Sequence, residues 1–428
     1  MGRNVSDSED YDIHPRVAEI FLALDGAGID WLMFRGEERM RKPTGDIDLL
    51  IAPGDLELTD KALSTLGFSR QGSALLVTRR AYVAYVAEDD FWLRIDLVTR
   101  VAFGEHLEFD TTAAGEFLAA KRRVDVFFLP ERVDAFWHLL LHYMLDRGDI
   151  PLPWRDIMHE RAKVAHAVGP LATCLDALAG DAAGQRVLSA VQAADWSLLH
   201  VLFHHIRKAW LSSQSPSSQV RIGTRRGLSR IGLSQWTSFR PGLSVAVLGP
   251  DGAGKTTLAL GLRDSLAIPT RYVYMGLWKE SRVKQLLSHV PGLNLLLLLF
   301  QLVARSCRLS YLRWRGCIVI LDRFSYDAVL VTKDESWRQR VTAALVLRMS
   351  RPPDLIVVLD LPGEVAFARK GEQDVATLNQ WRAAYRALES GNSQLIVLDA
   401  TEPIAEVRRL ATEAIWKTIR RRAEPKLP

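Results

Sequence analysis

At 428 residues and 48.0 kDa the chain is too long for one ordinary hydrophobic core, so two domains or three are expected. Hydrophobic residues at 48% and charged residues at 25% are ordinary for a globular chain and exclude extensive disorder. The formal net charge of +5 suits phosphate-bearing ligands but falls short of the dense basic face of a nucleic-acid binder, so no nucleic-acid partner is expected. From the N-terminus, "MGRNVSDSEDYDIHP" is polar and acidic with no apolar core, which excludes a secretory signal; Gly2 and Ser6 fit a myristoylation pattern that no second lipidation signal supports. Next, "PRVAEIFLALDGAG" has helical spacing, "DWLMFRG" and "GDIDLLIA" read as strands, and "LELTDKALSTLG" reads as a helix closed by Gly67. "YVAYVA" and "WLRIDLVT" are further strand candidates, and from Glu131 to about His205 the spacing of Leu, Ala, His and Trp is helical.

From Ser197 to Pro250 the chain carries no acidic residue, and "LSSQSPSSQVRIGTRRGLSRIG" has the composition of a linker. This divides the chain into a first domain over 1–206, a basic Ser/Gly-rich linker over 207–240 and a second domain over 241–428. In the second domain short β-branched runs, "SVAVL", "CIVIL", "LIVVLDL" and "QLIVLDA", alternate with long helical stretches. Near-continuous apolar strands separated by helices predict a parallel sheet covered on both faces, an α/β domain. The longest apolar run, "GLNLLLLLFQLVA", falls short of the ~20 residues that span a bilayer as a helix. Cys174, Cys307 and Cys317 are odd in number and lack metal-ligand spacing, which fits a reducing cytoplasm and argues against a disulfide scaffold or structural zinc.

The segment "GPDGAGKT", Gly249 to Thr256, has the spacing of a phosphate-binding loop. A strand runs into it and "TTLALGLRDSL" leaves it as a helix, so the amides of Asp251, Gly252, Ala253, Gly254, Lys255, Thr256 and Thr257 converge on phosphate oxygens. Lys255 would neutralise the β- and γ-phosphates of ATP and Thr256 would ligate Mg²⁺.

Together with "CIVILDRFSYD", "PPDLIVVLDLPGEVAFARKGE" and "LIVLDATEPIAEVRRLATEAI", this loop makes the stretch from Leu243 to Ile419 resemble the thymidylate kinase-like group of P-loop nucleoside-monophosphate kinases. The resemblance implies that Asp322 lies near the metal, that Arg323 reaches the substrate or the moving phosphoryl group, and that Arg369 and Lys370 belong to a short basic lid. It is compatible with a homodimer. Asp327, Val331 and Thr332 stand where thymidylate kinases carry a serine and a tyrosine-glutamine pair that help read the base, so the acceptor is a small phosphorylated or hydroxylated molecule rather than thymidylate in particular. The stretch before Asp322 is acid-free after Glu280. Within 282–315 it offers three readings: Arg305 and Arg308 holding a substrate phosphate, a peripheral contact with an anionic membrane, or a core helix with a solvated basic end.

In the first domain, "FRGEERMRKPTGDIDLLIA" places Asp46 and Asp48 two apart on a strand, which turns both carboxylates to one face, where they repel unless a divalent cation lies between them. Asp96 in "LRIDLV" is a third carboxylate on another strand. This pattern, with the helix "LPERVDAFWHLLLHYM" behind it, resembles the polymerase-β-like nucleotidyltransferase superfamily from Pro15 to His166. That likeness implies an α+β domain with a helical extension and Mg²⁺ held by Asp46, Asp48 and Asp96; Gly36-Glu37 replaces the usual glycine-serine pair. His138 and His142 read as packed core histidines. The expected activity is ATP-dependent phosphoryl transfer to a small acceptor, with two alternatives: nucleotidyl transfer as the main reaction with a regulatory P-loop domain, or a nucleotide-sensing regulator at a membrane.

Overall fold

The computed structural model describes residues 12–36, 40, 41, 43, 45–71, 79–104, 107–215, 219, 220, 222–224, 227, 242–275, 293–324, 351–389 and 393–423, with backbone alone at 293–299, 302 and 423. Gly2, Ser6, Glu37, most of the proposed linker, 282–292, Asp327, Val331 and Thr332 lie outside these residues. By their internal contacts the residues fall into two compact units, 1–84 with 93–235, and 85–92 with 236–428.

The N-terminal part opens with α1 (Pro15–Gly26), β1 (Trp31–Met33), β2 (Asp46–Ile51), α2 (Leu56–Thr65), β3 (Ser69–Gln71), β4 (Arg79–Val86) and β5 (Phe91–Val98). The strands form a sheet in the order β1-β2-β5-β4-β3. β1 is antiparallel to β2, and β2 is parallel to β5 in a register that sets Asp48 beside Asp96 and Asp46 beside Arg94. Ile47 is buried between two carboxylates that share the other face, as the two-residue period of a strand requires. Two short hairpins follow, β6 (Ala102–Phe103) with β7 (Phe109–Asp110) and β8 (Arg122–Val124) with β9 (Phe127–Leu129), with α3 (Ala114–Ala119) between them. The helices α4 (Arg132–Leu141), α5 (Leu152–Val164), α6 (Pro170–Ala179), α7 (Ala183–Gln192) and α8 (Trp196–Ser213) complete this part. Phe136, Trp137, Leu140, Leu171, Leu175, Val187 and Phe203 share one buried cluster with Leu32 and Phe34 from the strands.

The segment read as linker from residue 207 begins as helix. Leu199, Phe203, Ile206 and Trp210 are buried at helical spacing, and the apolar face reaches three residues beyond Arg207, so α8 runs on to Ser213 before the polar composition takes over.

The second unit carries β10 (Ser244–Leu248), α9 (Lys255–Ser265), β11 (Thr270–Tyr274), α10 (Leu293–Trp314), β12 (Ile318–Asp322), β13 (Leu355–Asp360), α11 (Gly363–Lys370), α12 (Val375–Ala387), β14 (Leu395–Asp399) and α13 (Ile404–Ala423). Its sheet has the order β11-β12-β10-β13-β14 and every pairing is parallel. Every residue of β10 and β12 is buried, so both faces of the central strands are covered, as their unbroken apolar sequence predicts. β10 and β12 pair with Val247 opposite Asp322, which brings that aspartate to the point where β10 gives way to the glycine-rich loop. Among the described residues no helix is long and apolar enough to cross a membrane.

Candidate active site

The glycine-rich loop joins β10 to α9, and its geometry depends on missing side chains. Gly252 has φ +89°, and a Cβ there would sit 2.7 Å from the Ala366 carbonyl oxygen; a Cβ on Gly249 would meet the Leu359 carbonyl at the same distance. Glycine alone permits both the left-handed turn and this approach to β13 and α11. Gly254 then caps α9, whose first turn presents Lys255, Thr256 and Thr257 with backbone amides that no intrahelical carbonyl can satisfy. Ala253 is buried under the loop and donates its amide to the Pro250 carbonyl at 3.2 Å.

Lys255 is buried and curls back over this loop. Its Nζ donates to the carbonyls of Gly249 and Pro250, each at 2.8 Å, and lies 3.2 Å from Asp251 Oδ1. Arg323 Nη2 donates to the same Asp251 oxygen at 2.7 Å. Burial alone would raise the Asp251 pKa, but the positive charges of Lys255, Arg323 and Lys370 outweigh it and hold the carboxyl below its ordinary range. Arg323 follows β12 with φ +67°, a left-handed conformation that costs a non-glycine residue of the order of 1–3 kcal/mol, and such strain concentrates at functional sites.

Asp322 is buried at the end of β12. Its Oδ2 accepts hydrogen bonds from Thr256 Oγ1 at 2.6 Å and from the Tyr272 hydroxyl at 2.8 Å. Burial and the neighbouring carboxylate push the Tyr272 hydroxyl up to about 12, so it remains a donor at neutral pH. Asp322 Oδ1 is buried and accepts no hydrogen bond from the described residues. A buried carboxylate oxygen with no donor is costly, and a hard divalent cation with oxygen ligands would satisfy it. Thr256 and Asp322 therefore fit Mg²⁺.

Arg369, which the resemblance assigns to a basic lid, donates from Nη1 to the Ala400 carbonyl, just past β14, at 3.4 Å. The neighbouring Lys370 is the basic residue of α11 whose charge bears on Asp251. Tyr272 had no signal in the sequence beyond its place in "TRYVY", a short run with Arg271 inside it.

In the N-terminal part the parallel register does bring Asp46, Asp48 and Asp96 to one face, but each carboxylate is met by a guanidinium. Arg94 Nε lies 2.9 Å from Asp46, Arg35 Nη2 lies 3.0 Å from Asp48, and Arg79 pairs with Asp96. Burial raises the Asp48 pKa against the opposing pull of Arg35, with the Asp96 charge adding to the rise. Among the described residues no group of three or more His, Cys, Asp or Glu is arranged to hold a metal ion. The cation site expected of these aspartates is not formed as they stand, because arginines supply the countercharge. Phe34, Arg35, Asp48, Arg79, Asp96 and His138 line a cavity of about 200 Å³ there. His138 is partly buried on the wall of this cavity and stacks on Phe34 with ring centroids 4.1 Å apart, and desolvation lowers its pKa well below 6.5. His142 differs from it: it opens a π-helical turn, His142–Arg147, and its Nδ1 lies 2.6 Å from Asp146 Oδ2.

A parallel sheet with a glycine-rich loop after its central strand, a lysine and a threonine on the following helix, and an aspartate closing the adjacent strand together define a P-loop nucleotide-binding fold of the kinase type. The sequence comparisons agree over part of the chain. It is 29% identical over 197 residues to a probable thymidylate kinase of Saccharolobus solfataricus, covering 41% of this chain and 97% of that one. It is 26% identical over 188 residues to a probable thymidylate kinase of Archaeoglobus fulgidus, covering 40% of this chain and 93% of that one. An uncharacterized ATP-binding protein of Escherichia coli K12 is 25% identical over 220 residues, covering 40% of this chain and 91% of that one. Similar solved structures include a thymidylate kinase from Candida albicans, 21% identical with a TM-score of 0.33 over 42% of this chain and 93% of that one. A deoxyadenosine kinase from M. mycoides is 16% identical with a TM-score of 0.30, covering 40% of this chain and 97% of that one. No protein-family model matches the chain.

Proposed function

We propose that the second unit is an ATP-dependent phosphotransferase of the thymidylate and nucleoside-monophosphate kinase type, acting on a small phosphorylated or hydroxylated acceptor. One observation carries this reading. Thr256 and Tyr272 converge on one oxygen of Asp322 while its other oxygen, buried beside the loop, has no donor among the described residues. The relatives named as thymidylate kinases and as an ATP-binding protein support the donor as ATP.

Phosphoryl transfer needs positioning and charge neutralisation more than covalent help. In this reading the amides of the loop and of the first turn of α9 receive the terminal phosphates. Lys255 exchanges the carbonyls of Gly249 and Pro250 for phosphate oxygens, and Asp251 keeps Arg323 aimed across the mouth of the loop. Mg²⁺ held by Thr256 and Asp322 would supply further neutralisation of phosphate charge. The base-reading positions Asp327, Val331 and Thr332 depart from those of thymidylate kinases.

Incubating the protein with Mg-ATP and a panel of nucleoside monophosphates and sugars tests the reading. ADP formation that requires one acceptor, and that drops on the order of a hundredfold or more in Lys255→Ala, is the expected result. Acceptor-independent hydrolysis would favour a nucleotide sensor instead. We propose further that the first unit is a nucleotidyltransferase-like module, on the ground that β2 and β5 bring Asp46, Asp48 and Asp96 to one face. Retention of every activity by the double variant Asp46→Ala, Asp48→Ala would remove nucleotidyl transfer from consideration.

A further inference from the structure

α10 packs one side on the second unit and turns another outward. Leu309 and Leu312 join the cluster formed by Val319, Leu321 and Ile356, and Arg313 is buried on Asp354 at 3.0 Å. On the outside Phe300 is 71% exposed, Val303 52%, Tyr311 52% and Trp314 59%, with Cys307 exposed between them. At about 100° per residue these five positions fall within an arc of roughly 80°, and from first to last they extend about 21 Å along the axis. They form one continuous apolar stripe in place of the scattered exposed side chains that any surface carries.

The helix that carries this stripe has charge of one sign. From Ser281 to Leu321 the chain contains no acidic residue. Arg308 is exposed, on the flank of the stripe, and the Arg315 guanidinium lies 5.9 Å from the Tyr311 ring. A second copy of the chain docking by two-fold symmetry along this stripe would bring the Arg308 residues of both copies to one seam, with no acid on either helix to neutralise them. An anionic lipid surface meets both features: it takes the apolar stripe into the acyl boundary, seats Tyr311 and Trp314 at headgroup depth and attracts the arginines.

We propose that the outer face of α10 is a peripheral membrane-docking surface that lays the second unit on an anionic bilayer. The proposal stands on this face alone and does not depend on the kinase reading.

Sedimentation of the full-length chain with vesicles tests it. Vesicles of phosphatidylcholine with phosphatidylglycerol should carry the protein down, pure phosphatidylcholine roughly tenfold less, and raising the salt should release it. The double variant Phe300→Glu, Trp314→Glu should bind at least tenfold more weakly while its melting temperature stays that of the parent. Should that variant not fold, a polarity-sensitive dye on Cys307, in a Cys174→Ala background, gives a second readout: its emission should shift to the blue on anionic vesicles only. Equal binding to both lipid mixtures, or no binding and no shift, would overturn the proposal. So would a concentration-dependent dimer in sedimentation velocity that the double variant dissociates, which would assign the face to a second copy.

Discussion

Three features meet where the loop at Gly249–Thr256 faces the end of β12. A lysine folds onto carbonyl oxygens, an arginine adopts a left-handed backbone, and a buried carboxylate oxygen faces no donor. The lysine is satisfied where it lies, the backbone of Arg323 is strained, and the open carboxylate oxygen is the group that a bound cation would satisfy. Gly252 shows how narrow the tolerance is. Adding a methyl group in Gly252→Ala forces a contact at 2.7 Å with the Ala366 carbonyl, which belongs to α11 and has no flexible side chain to move aside, on top of an unfavourable φ of +89°. We expect the variant to lose about 1–2 kcal/mol of stability from the backbone alone and to lose detectable Mg-ATP binding. Calorimetric titration beside a thermal melt will show both, and undiminished ATP affinity in a folded variant would refute this account of the loop.

At the level of the elements, α4 carries a titration that the fold suppresses. His138 is partly buried against Phe34, and desolvation, with the Arg35 and His142 charges adding to it, holds its pKa well below the 6.5 of an exposed imidazole. A group whose folded pKa is depressed is neutral in the native state while the unfolded chain takes up a proton. Its stabilising contribution is therefore complete above about 6.5 and declines as pH falls below it, by up to about 1.4 kcal/mol per pH unit until the folded pKa is reached. His138→Phe, which keeps a ring against Phe34, should flatten the fall in melting temperature between pH 7 and pH 5 relative to the parent. An unchanged slope would show that His138 titrates freely. The elements also show what the sequence makes legible. β10, β12, β13 and β14 were readable because each carries a run of four or five consecutive apolar residues, as covered parallel strands do, and the glycine-rich loop because its residue types are dictated by backbone geometry. β11 escaped because its run mixes Arg and Tyr and only its pairing with β12 makes it a strand. The helical end of α8 was read as linker because an acid-free, Ser-rich composition hides an apolar face that reappears only at Trp210. The arginine partners of Asp46, Asp48 and Asp96 lie 13 to 48 residues away in the chain, and no local pattern links a carboxylate to a guanidinium so far off.

On the scale of the whole molecule, the two units are built on different principles of cohesion, and this has a measurable consequence. The first unit's core is a cluster that Leu32 and Leu50 of the strands share with Trp137, Leu175 and Phe203 of the helices, whereas the second unit's core is centred on a parallel sheet whose C-terminal ends carry the glycine-rich loop and Asp322. A ligand that binds only the second unit can stabilise only that unit directly, by RT ln(1 + [L]/Kd), which is about 2.7 kcal/mol at a hundred times Kd. Mg-ATP should therefore raise the melting of the second unit while the first unit's transition stays where it is. Hydrogen exchange should locate the added protection in β10, α9 and β12, the elements that hold Lys255, Thr256 and Asp322. The effect should vanish in Lys255→Ala, whose side chain closes the loop in the absence of nucleotide and is the group expected to open it. Were Mg-ATP instead to protect the face bearing Asp46, Asp48 and Asp96, the nucleotide would belong to the first unit, and the arginine pairs there would have to yield to its phosphates.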